Sequence, residues 1–285
     1  LYAGTEWGMY LSFDDGASWQ PFQLNLPIVS IRDLHVRDNN LIAATHGRSF
    51  WMIDDLTPLH QLSEEVAARD FYLFQPKPSY RMAQDEGSGG PNFRLEGENH
   101  PNGVIFHYYL GEMTDSTQVK LEILEEDGTL IRAFATKAKE KDERLEPQSG
   151  GNRFVWDLRY PGFREFPGLV LYSSPNRGAK AVPGTYRARL TVNGESVEQP
   201  FEIVKDPRLP NTPADYQAQF DFLTRVRDKV SEAHQAILDI RSIRKDIQYL
   251  KDKFGAEEAY RDLIEMAEQL DEEMKVIENN IHQTK

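Results

Sequence analysis

The sequence predicts a multidomain chain that is mainly β-structured and has an α-helical C-terminal region. Three observations support this prediction. A segment at the start recurs at an offset of 40 residues with the alternation of β-strands. The middle holds short β-rich runs with Asp-Gly and Asn-Gly turns, and the end has apolar residues at spacings of three and four. We therefore expect repeated β units, then a β-sandwich, then an antiparallel helical hairpin.

The composition excludes several classes of function. With 285 residues, of which 39% are hydrophobic, the chain is long enough for about two or three domains with their own cores. A formal net charge of -13 argues against a nucleic-acid surface, which needs clustered cations. The absence of Cys excludes disulfides and thiolate sites. No apolar run reaches about 18 residues, so we expect no membrane span.

Residues 1–60 contain the internal repeat. The stretches LYAGTEWGMYLSFDD and LIAATHGRSFWMIDD share Leu, Ala, Thr, an aromatic residue and a final Asp pair. Each copy has the pattern of a strand, a glycine-containing turn and a second strand. A period of about 40 to 45 residues built from short strands is typical of propeller blades. The sequence therefore predicts that residues 1–60 are the last blades of a β-propeller.

A motif within the first copy carries a family resemblance. Ser12, Asp14, Gly16 and Trp19 match the pattern S-x-D-x-G-x-x-W. The segment resembles the Asp-box, or BNR repeat, of sialidases, sortilin-type ten-bladed propellers and photosystem II assembly-factor-like proteins. That resemblance implies a structural turn on the outside of a blade, away from the central ligand-binding face. The residue types agree, since Asp14 can accept from turn amides, Gly16 suits a positive φ and Trp19 can cover the turn. We favour this turn over a catalytic or metal-binding aspartate pair.

The second copy supplies the candidate ligand contacts. The phrase ATHGRSFWMIDD resembles the closing blade of large secreted bacterial proteins named sortilin-like or BNR glycosyl hydrolases. It departs from the Asp-box after its Asp pair, which indicates that the propeller ends there. His46 and Arg48 lie in a turn that could reach a propeller face, and with Trp7 they are the candidate ligand-binding residues. The favoured alternative is that they brace the junction between blades. One and a half blades cannot close a ring, so we expect upstream blades to cover the exposed edge.

Residues 61–90 and 91–205 are predicted to be a linker and a β-sandwich. The linker is rich in Pro, Gly and Ser, although Phe71, Tyr72 and Phe74 are expected to anchor its first part to a neighbour. Beyond it, short runs of β-rich composition are typical of a sandwich of about a hundred residues. The predicted strands are 104–110, 119–124, 130–135, 153–158, 185–192 and 197–204.

The sandwich region also carries a resemblance. NRFVWDLRYPG followed by AVPGTYRARLTVNG resembles bacterial Ig-like or fibronectin-like modules, including that of the flagellar hook-capping protein. Trp156 is then expected to be a core anchor, and Tyr186 is expected to pack or form a hydrogen bond near a sheet corner. His100 and His107 stand apart in sequence from other ligand types, so no metal site is expected there. No cofactor is expected anywhere in the chain.

Residues 206–285 are predicted to be an antiparallel helical hairpin of the coiled-coil type. Thr212, Pro213 and Asp215 form a helix start, and Gly255 interrupts the apolar pattern. The first helix is locally basic and the second is acidic. The outer face of the hairpin, or the surplus length of its first helix, is expected to dock onto another domain or subunit. The alternative is that the hairpin packs against its own sandwich. The apolar seam predicted for the second helix is Tyr260, Leu263, Ala267, Leu270, Met274, Ile277 and Ile281.

These observations favour a non-catalytic function. Asp14 and Asp15 are neighbours on a turn and cannot be the opposed carboxylates of a glycosidase. The resemblance implies the C-terminal region of an extracytoplasmic sortilin-like propeller protein, whether periplasmic, surface-bound or secreted, that binds proteins or assembles with them. Its expected partner is another protein or upstream blades of the same protein, with no nucleic acid. The alternative is the scaffold of a sialidase-like glycoside hydrolase whose active site lies on upstream blades. A third option is a subunit of a large envelope complex.

Overall fold

The structure is a computed structural model that describes residues 1–82, 100–171 and 176–282. It confirms a mixed β and α fold with long helices near the C-terminal end. Backbone contacts divide the chain into two compact units. Unit 1 comprises Leu1–Asp157 and Gly184–Pro207, and unit 2 comprises Leu158–Pro183 and Arg208–Lys285.

Unit 1 begins with two three-stranded antiparallel sheets, each with its strands in sequence order. The first sheet contains β1 (Tyr2–Thr5), β2 (Gly8–Leu11) and β3 (Gln20–Pro21), and the second contains β4 (Ile31–Arg37), β5 (Asn40–Thr45) and β6 (Phe50–Ile53). The repeat is visible in the backbone. In the first copy β1 pairs antiparallel with β2, and in the second copy β5 pairs antiparallel with β6, with a turn joining the strands of each pair.

One apolar core joins these two sheets. Met9 of the first sheet is buried together with Leu41 and Ala43 of the second. Gly4 lies so close to Ile31 that an added Cβ would stand 2.5 Å from the Ile31 Cγ2 atom. A larger residue at position 4 would therefore push β1 away from β4. The two sheets depend on this close approach for their shared core.

In the described part of unit 1, two short α-helices, a 3-10 helix (Lys141–Glu143) and eight further strands follow. The helices α1 (Thr57–Gln61) and α2 (Glu64–Ala67) follow β6 directly. The strands form a five-stranded sheet in the order β11-β10-β13-β14-β8 and a three-stranded sheet in the order β12-β9-β7. Their bounds are β7 (Phe71–Leu73), β8 (Ser79–Arg81), β9 (Val104–Leu110), β10 (Val119–Glu125), β11 (Leu130–Ala135), β12 (Gly150–Trp156), β13 (Gly184–Val192) and β14 (Glu195–Lys205).

The segment assigned by sequence to a linker contains two of these strands. β7 pairs antiparallel with β9, and β8 pairs parallel with β14, so both belong to the sheets of unit 1. Phe74, one of the residues expected to anchor this segment to a neighbour, is buried directly after β7, and its amide donates to the carbonyl of His107 on β9. The domain boundary predicted near Gly90 lies outside the described residues. Strands of three residues are too short for a period of two to be recognised in sequence.

The six strands predicted for the middle of the chain are all present, and their turns follow local rules. Asn193 and Gly194 have φ values of 50° and 95° and join β13 to β14. Both angles lie in the left-handed region that a two-residue hairpin turn of this type requires. The side chain of Asn193 also accepts a hydrogen bond from the Gln118 amide at 2.9 Å.

An aromatic cluster joins the five-stranded sheet to the sheet of β12, β9 and β7. Trp156 of β12 lies edge-on to Tyr186 of β13, with ring centroids 6.3 Å apart. Phe106 of β9 contacts Phe201 of β14 in the same manner at 5.2 Å. These four side chains are buried. Trp156 therefore lies in the core, as the sequence predicted, and Tyr186 is buried beside it.

Unit 2 is built on two long helices, α3 (Pro213–Phe254) and α4 (Arg261–Ile281). Thr212 caps α3 in a capping box with Asp215, and Pro213 occupies the first turn, as predicted from the sequence. Among the described residues, no helix combines the length and the apolar character that a bilayer crossing requires.

Ion pairs align the two helices in antiparallel order. Glu278 of α4 has a side chain only 5% exposed and accepts from Arg241 at 2.7 Å and from Arg244 at 3.0 Å. Arg244 also donates to Asp271, and Lys251 pairs with Glu268. Burial raises the pKa of Glu278, but the two guanidinium groups outweigh it, so the pKa is lowered from its ordinary value. The helix pair is therefore fixed by charge as well as by apolar packing.

A segment from the middle of the sequence belongs to unit 2. Phe166 is buried against His234 and Arg241 of α3 and against His282, which follows α4. The sequence assigned residues 158–183 to the sandwich together with the strands on both sides. The segment has no helix or strand period, so only its contacts show which unit it joins.

We predict that Glu278→Ala destabilises the helix pair, because it removes two charge-assisted hydrogen bonds and leaves two arginines without their carboxylate. The expected loss is about 1–3 kcal/mol in the free energy of unfolding, read from the helical signal in thermal denaturation by circular dichroism. The matched control is Glu272→Ala, whose ion pair with Lys275 is exposed and worth about 0.5 kcal/mol. Equal losses in the two variants would contradict this account.

Candidate functional site

The segment from Ser12 to Trp19 forms a hydrogen-bonded turn between β2 and β3. The buried Ser12 hydroxyl donates to Asp14 Oδ1 at 2.8 Å and accepts from the Gly16 amide at 2.8 Å. Asp14 Oδ1 also accepts from the Ser18 amide at 2.8 Å, and Asp14 Oδ2 accepts from the Ser18 hydroxyl. Both carboxylate oxygens of Asp14 are therefore engaged inside the turn.

The other two residues of the motif shape the same turn. Gly16 has φ at 93°, in the region that glycine favours. The Trp19 indole donates to the Gly16 carbonyl at 3.1 Å, while 42% of the Trp19 surface stays exposed. Because β2 runs between the turn at Trp7 and this turn, the two turns lie at opposite ends of the first sheet.

The hydrogen bonds of Asp14 decide its chemistry. Those from the Ser18 hydroxyl and amide, with that of Ser12, lower the Asp14 pKa to about 2. A general acid near neutral pH needs the opposite shift, because it must hold its proton until the reaction. Asp14 is therefore suited to holding a turn and unsuited to donating protons.

The candidate ligand contacts lie in two turns at the same end of the two N-terminal sheets. Trp7 is 75% exposed, and its amide donates to the Thr5 hydroxyl at 3.1 Å. In the second copy the Arg48 amide donates to the equivalent Thr45 hydroxyl, also at 3.1 Å. His46 is exposed in that same turn.

The backbone explains why these two turns lie at the same end of the two sheets. Gly4 lies against Ile31, and Ile31 pairs with Thr45 across the second sheet. The ends of β1 and β5 that lead into the turns therefore lie on either side of the start of β4. The structure thus places Trp7, His46 and Arg48 at the same end of the two sheets, although they are far apart in sequence.

The aspartate pair of the second repeat has a different environment. Asp55 Oδ1 accepts from the Thr57 amide at 2.9 Å and from the Asn39 side chain at 3.2 Å. Its side chain is 6% exposed, and its Oδ2 atom lies 3.7 Å from Nε2 of His107 on β9. Asp55 therefore meets a histidine, whereas its counterpart in the first repeat lies in an exposed turn.

The Asp55–His107 pair stands beside an open groove. Apolar side chains of Pro58, Leu62 and Phe74 form part of its lining, together with His107, Glu146 and Arg153. The sequence could not have indicated this site, because Asp55 and His107 belong to distant segments and neither forms a recognised motif. The tertiary contact of the N-terminal repeat with β9 brings them together.

Burial controls the charge of His107. The His107 pKa is lowered from its ordinary value, mainly because the ring is buried. The carboxylate of Asp55 raises the pKa, whereas the positive charges of Arg153 and Lys77 lower it. The Nε2 atom is buried, and no hydrogen-bond partner for it is found among the described residues. The imidazole is therefore predominantly uncharged at neutral pH, and taking up a proton would create an ion pair with Asp55. Within the described ranges, no group of three or more histidine and carboxylate side chains could hold a metal ion.

Comparison of the sequence with known protein families finds no matching family, and comparison with curated proteins finds no significant match.

We predict that the Asp14 carboxyl group titrates at about 2 in a carbon-detected NMR titration. Because its pKa is lowered on folding, Asp14 stabilises the fold above the ordinary aspartate pKa, and this contribution is lost as the pH falls towards 2. Ser18→Ala should raise the pKa of Asp14, because it removes the most important hydrogen bond. The Asp127 pKa, which is lowered by bonds from Thr129, is the internal control and should not move. An unchanged Asp14 pKa in Ser18→Ala would contradict the assignment.

We also predict that His107 titrates below its ordinary range and that Asp55→Asn lowers its pKa further, because the carboxylate favours the protonated ring. Since folding lowers this pKa, the contribution of His107 to stability is present above the ordinary histidine pKa and is lost as the pH falls through the folded value. Proton NMR of the imidazole, assigned with His107→Gln, measures both effects. A pKa that rises in Asp55→Asn would show that the pair does not interact as described.

Proposed function

We propose that this chain is a non-catalytic protein-binding or assembly region, built on the terminal blades of a sortilin-like Asp-box propeller. The observation on which the proposal depends is the outer face of the second N-terminal sheet. We use this name for Ile42 and Ala44 of β5 together with Met52 and Phe50 of β6. These residues form cross-strand pairs, Ile42 with Met52 and Ala44 with Phe50.

The outer face is apolar and lies in solvent. Phe50 is 76% exposed and Met52 is 57% exposed, whereas Leu41 and Ala43 on the opposite face are buried. Side chains alternate between the two faces of a strand, so this sheet has apolar residues on both. A contiguous exposed apolar patch of this kind marks a surface that another layer covers. In a propeller, the covering layer is the neighbouring blade.

Two further observations support the propeller identity. The repeat of 40 residues corresponds to two adjacent sheets with a shared core. The Asp-box residues form a tight hydrogen-bonded turn at the end of the first sheet opposite Trp7. In this proposal Trp7, His46 and Arg48 lie at the ligand-facing end of the blades, and the chain functions outside the cytoplasm, as its resemblance to secreted proteins suggests.

The proposal assigns the remaining strands of unit 1 to an Ig-like spacer module. Its support is the contact of Trp156 with Tyr186 and Phe201, which joins the two sheets through buried aromatic rings. The parallel pairing of β8 with β14 adds a strand from outside the module to its larger sheet. This strand would tie the spacer to the blades that precede it in sequence.

Mapping the outer face in the native protein tests this proposal. Hydroxyl-radical footprinting should show several-fold lower oxidation of Phe50 and Met52 in the polypeptide purified from its source than in the 285-residue chain. Leu130, exposed on β11, should react equally in both and is the control. The intact mass and N-terminal sequence of the native polypeptide identify any upstream blades. A native species of 32.8 kDa with fully reactive Phe50 and Met52 would overturn the proposal.

Phe50→Asp offers a second test. In the native polypeptide it should lower the free energy of unfolding by about 1.5–3 kcal/mol, because the ring is then buried, and in the 285-residue chain it should have little effect. Leu130→Asp, at a similarly exposed position, should have little effect in either. Glycoside hydrolysis by a larger native species would favour the alternative of a hydrolase scaffold.

A further inference from the structure

The helix pair of unit 2 leaves an apolar surface in solvent. On α4, the half-buried positions are Ile264, Ala267, Asp271, Met274 and Lys275, and Glu278 is buried. The contacts of Asp271 and Glu278 with arginines of α3 show that this side faces α3. The predicted apolar seam therefore coincides with the interface only in part, since Ala267 and Met274 belong to both.

The rest of the predicted seam is exposed. Leu263, Leu270 and Ile277 recur every seven residues and are 49%, 42% and 50% exposed, and Ile281 is 43% exposed. At 3.6 residues per turn, these side chains lie on one stripe of α4, rotated by about a fifth of a turn from the side that contacts α3. The charged contacts with Arg241 and Arg244 hold the helix in this rotation.

α3 extends the same surface. Ile243 is 40% exposed, and Leu250, seven residues later, is half-buried. Phe166 contacts His234, Arg241 and His282, so residues around Phe166 cover one side of the helix pair. The helical period places Ile243 and Leu250 on the opposite side, next to the stripe of α4. We call the surface made by Ile243, Leu250, Leu263, Leu270, Ile277 and Ile281 the open face.

Carboxylates border the open face on both outer edges. Asp239 and Asp246 lie along the edge on α3, and Asp262 and Glu273 lie along the edge on α4. Among the described residues, Asp239, Asp246 and Glu273 make no ion pair. Within residues 239–253 of α3 and within α4, Lys253 is the one basic residue that lies along these edges. Its ammonium group lies over the rings of Tyr249 and Phe254. The border is therefore acidic on both sides.

We propose that the open face binds an amphipathic α-helix of another protein that carries Lys or Arg on both sides of its apolar stripe, completing a three-helix bundle. An apolar valley between two antiparallel helices fits a helix with apolar residues at spacings of three and four. Basic residues flanking that stripe would meet the carboxylates on both edges. A length of about 20 residues, or about 30 Å, matches α4.

The charges argue against a second copy of this chain as the occupant. A twofold dimer through the open face would bring the acidic edge of each α3 and α4 against another acidic edge. Like charges at such positions are unfavourable.

The open face is separate from the outer face of the second N-terminal sheet. The proposal for the open face and the proposed function can therefore fail independently of each other.

The test measures binding of a synthetic peptide to the full 285-residue chain. The peptide has about three heptads with Leu at positions a and d and Lys at positions e and g, and a matched peptide has Glu in place of Lys. Fluorescence anisotropy should show the Lys peptide binding at least about tenfold more tightly than the Glu peptide. Raising the salt concentration should weaken binding of the Lys peptide.

Matched variants locate the binding to the open face. Leu270→Glu and the double variant Asp239→Lys, Asp246→Lys should each weaken binding of the Lys peptide at least about tenfold, with helical content unchanged by circular dichroism. Val276→Glu, at an exposed position on another side of α4, and Asp252→Lys, at an exposed position on the side of α3 away from the open face, are the controls and should change binding less than about twofold.

Three results would overturn the proposal. The first is equal binding of the Lys and Glu peptides, and the second is an equal loss of binding in the control variants, which would indicate attraction to the net negative charge alone. The third is a dimer, detected by light scattering, that Leu270→Glu converts to a monomer, because the open face would then be occupied by a second copy.

Discussion

Strand β9 is the element on which the organisation of unit 1 depends, because its consecutive residues serve two different parts of the unit. Phe106 is fully buried and contacts Phe201 in the aromatic core. His107, on the opposite face, lies beside Asp55 at the end of the N-terminal repeat. The His107 carbonyl also accepts a hydrogen bond from the Phe74 amide at 3.0 Å. One strand therefore connects the N-terminal sheets to the larger sheets, and a shift of one residue in its register would exchange the two roles.

The two aspartate pairs of the repeat show how similar sequences acquire different roles. Asp14 is followed by Gly16 and Ser18, which provide the φ angle and the donors that make a closed turn. Asp55 is followed by a short helix, and its carboxylate is shared among Asn39, Thr57 and the histidine of β9. The residues after the aspartates, and not the aspartates themselves, decide which arrangement forms. A turn that satisfies its own carboxylate needs no ligand, whereas a buried carboxylate next to an uncharged imidazole responds to protonation.

Electrostatics determine what the helix pair presents to solvent. Apolar residues alone would turn the stripe of α4 towards α3 and leave little apolar surface. Instead, Glu278 and Asp271 occupy the interface, because two arginines of α3 satisfy them there. A buried carboxylate without such partners would cost more than the exposed leucines do. The result is a helix pair with an apolar stripe exposed to solvent, as Phe50 and Met52 are exposed on the outer face of the second N-terminal sheet.

The sequence by itself determined the features that depend on residues within a few positions of one another. These include the turn at Asn193 and Gly194, the start of α3 at Thr212, the hydrogen bonds of the Asp-box and the existence of the strands in the middle of the chain. Only the tertiary structure decided the features that join distant segments. The strands β7 and β8, the membership of the Phe166 segment in unit 2, the Asp55–His107 pair and the rotation of α4 belong to this class. The polar groups of turns and helix caps form hydrogen bonds with residues close in sequence. A buried charge is stable only where an oppositely charged residue from a distant segment lies beside it. A single sequence does not specify that residue.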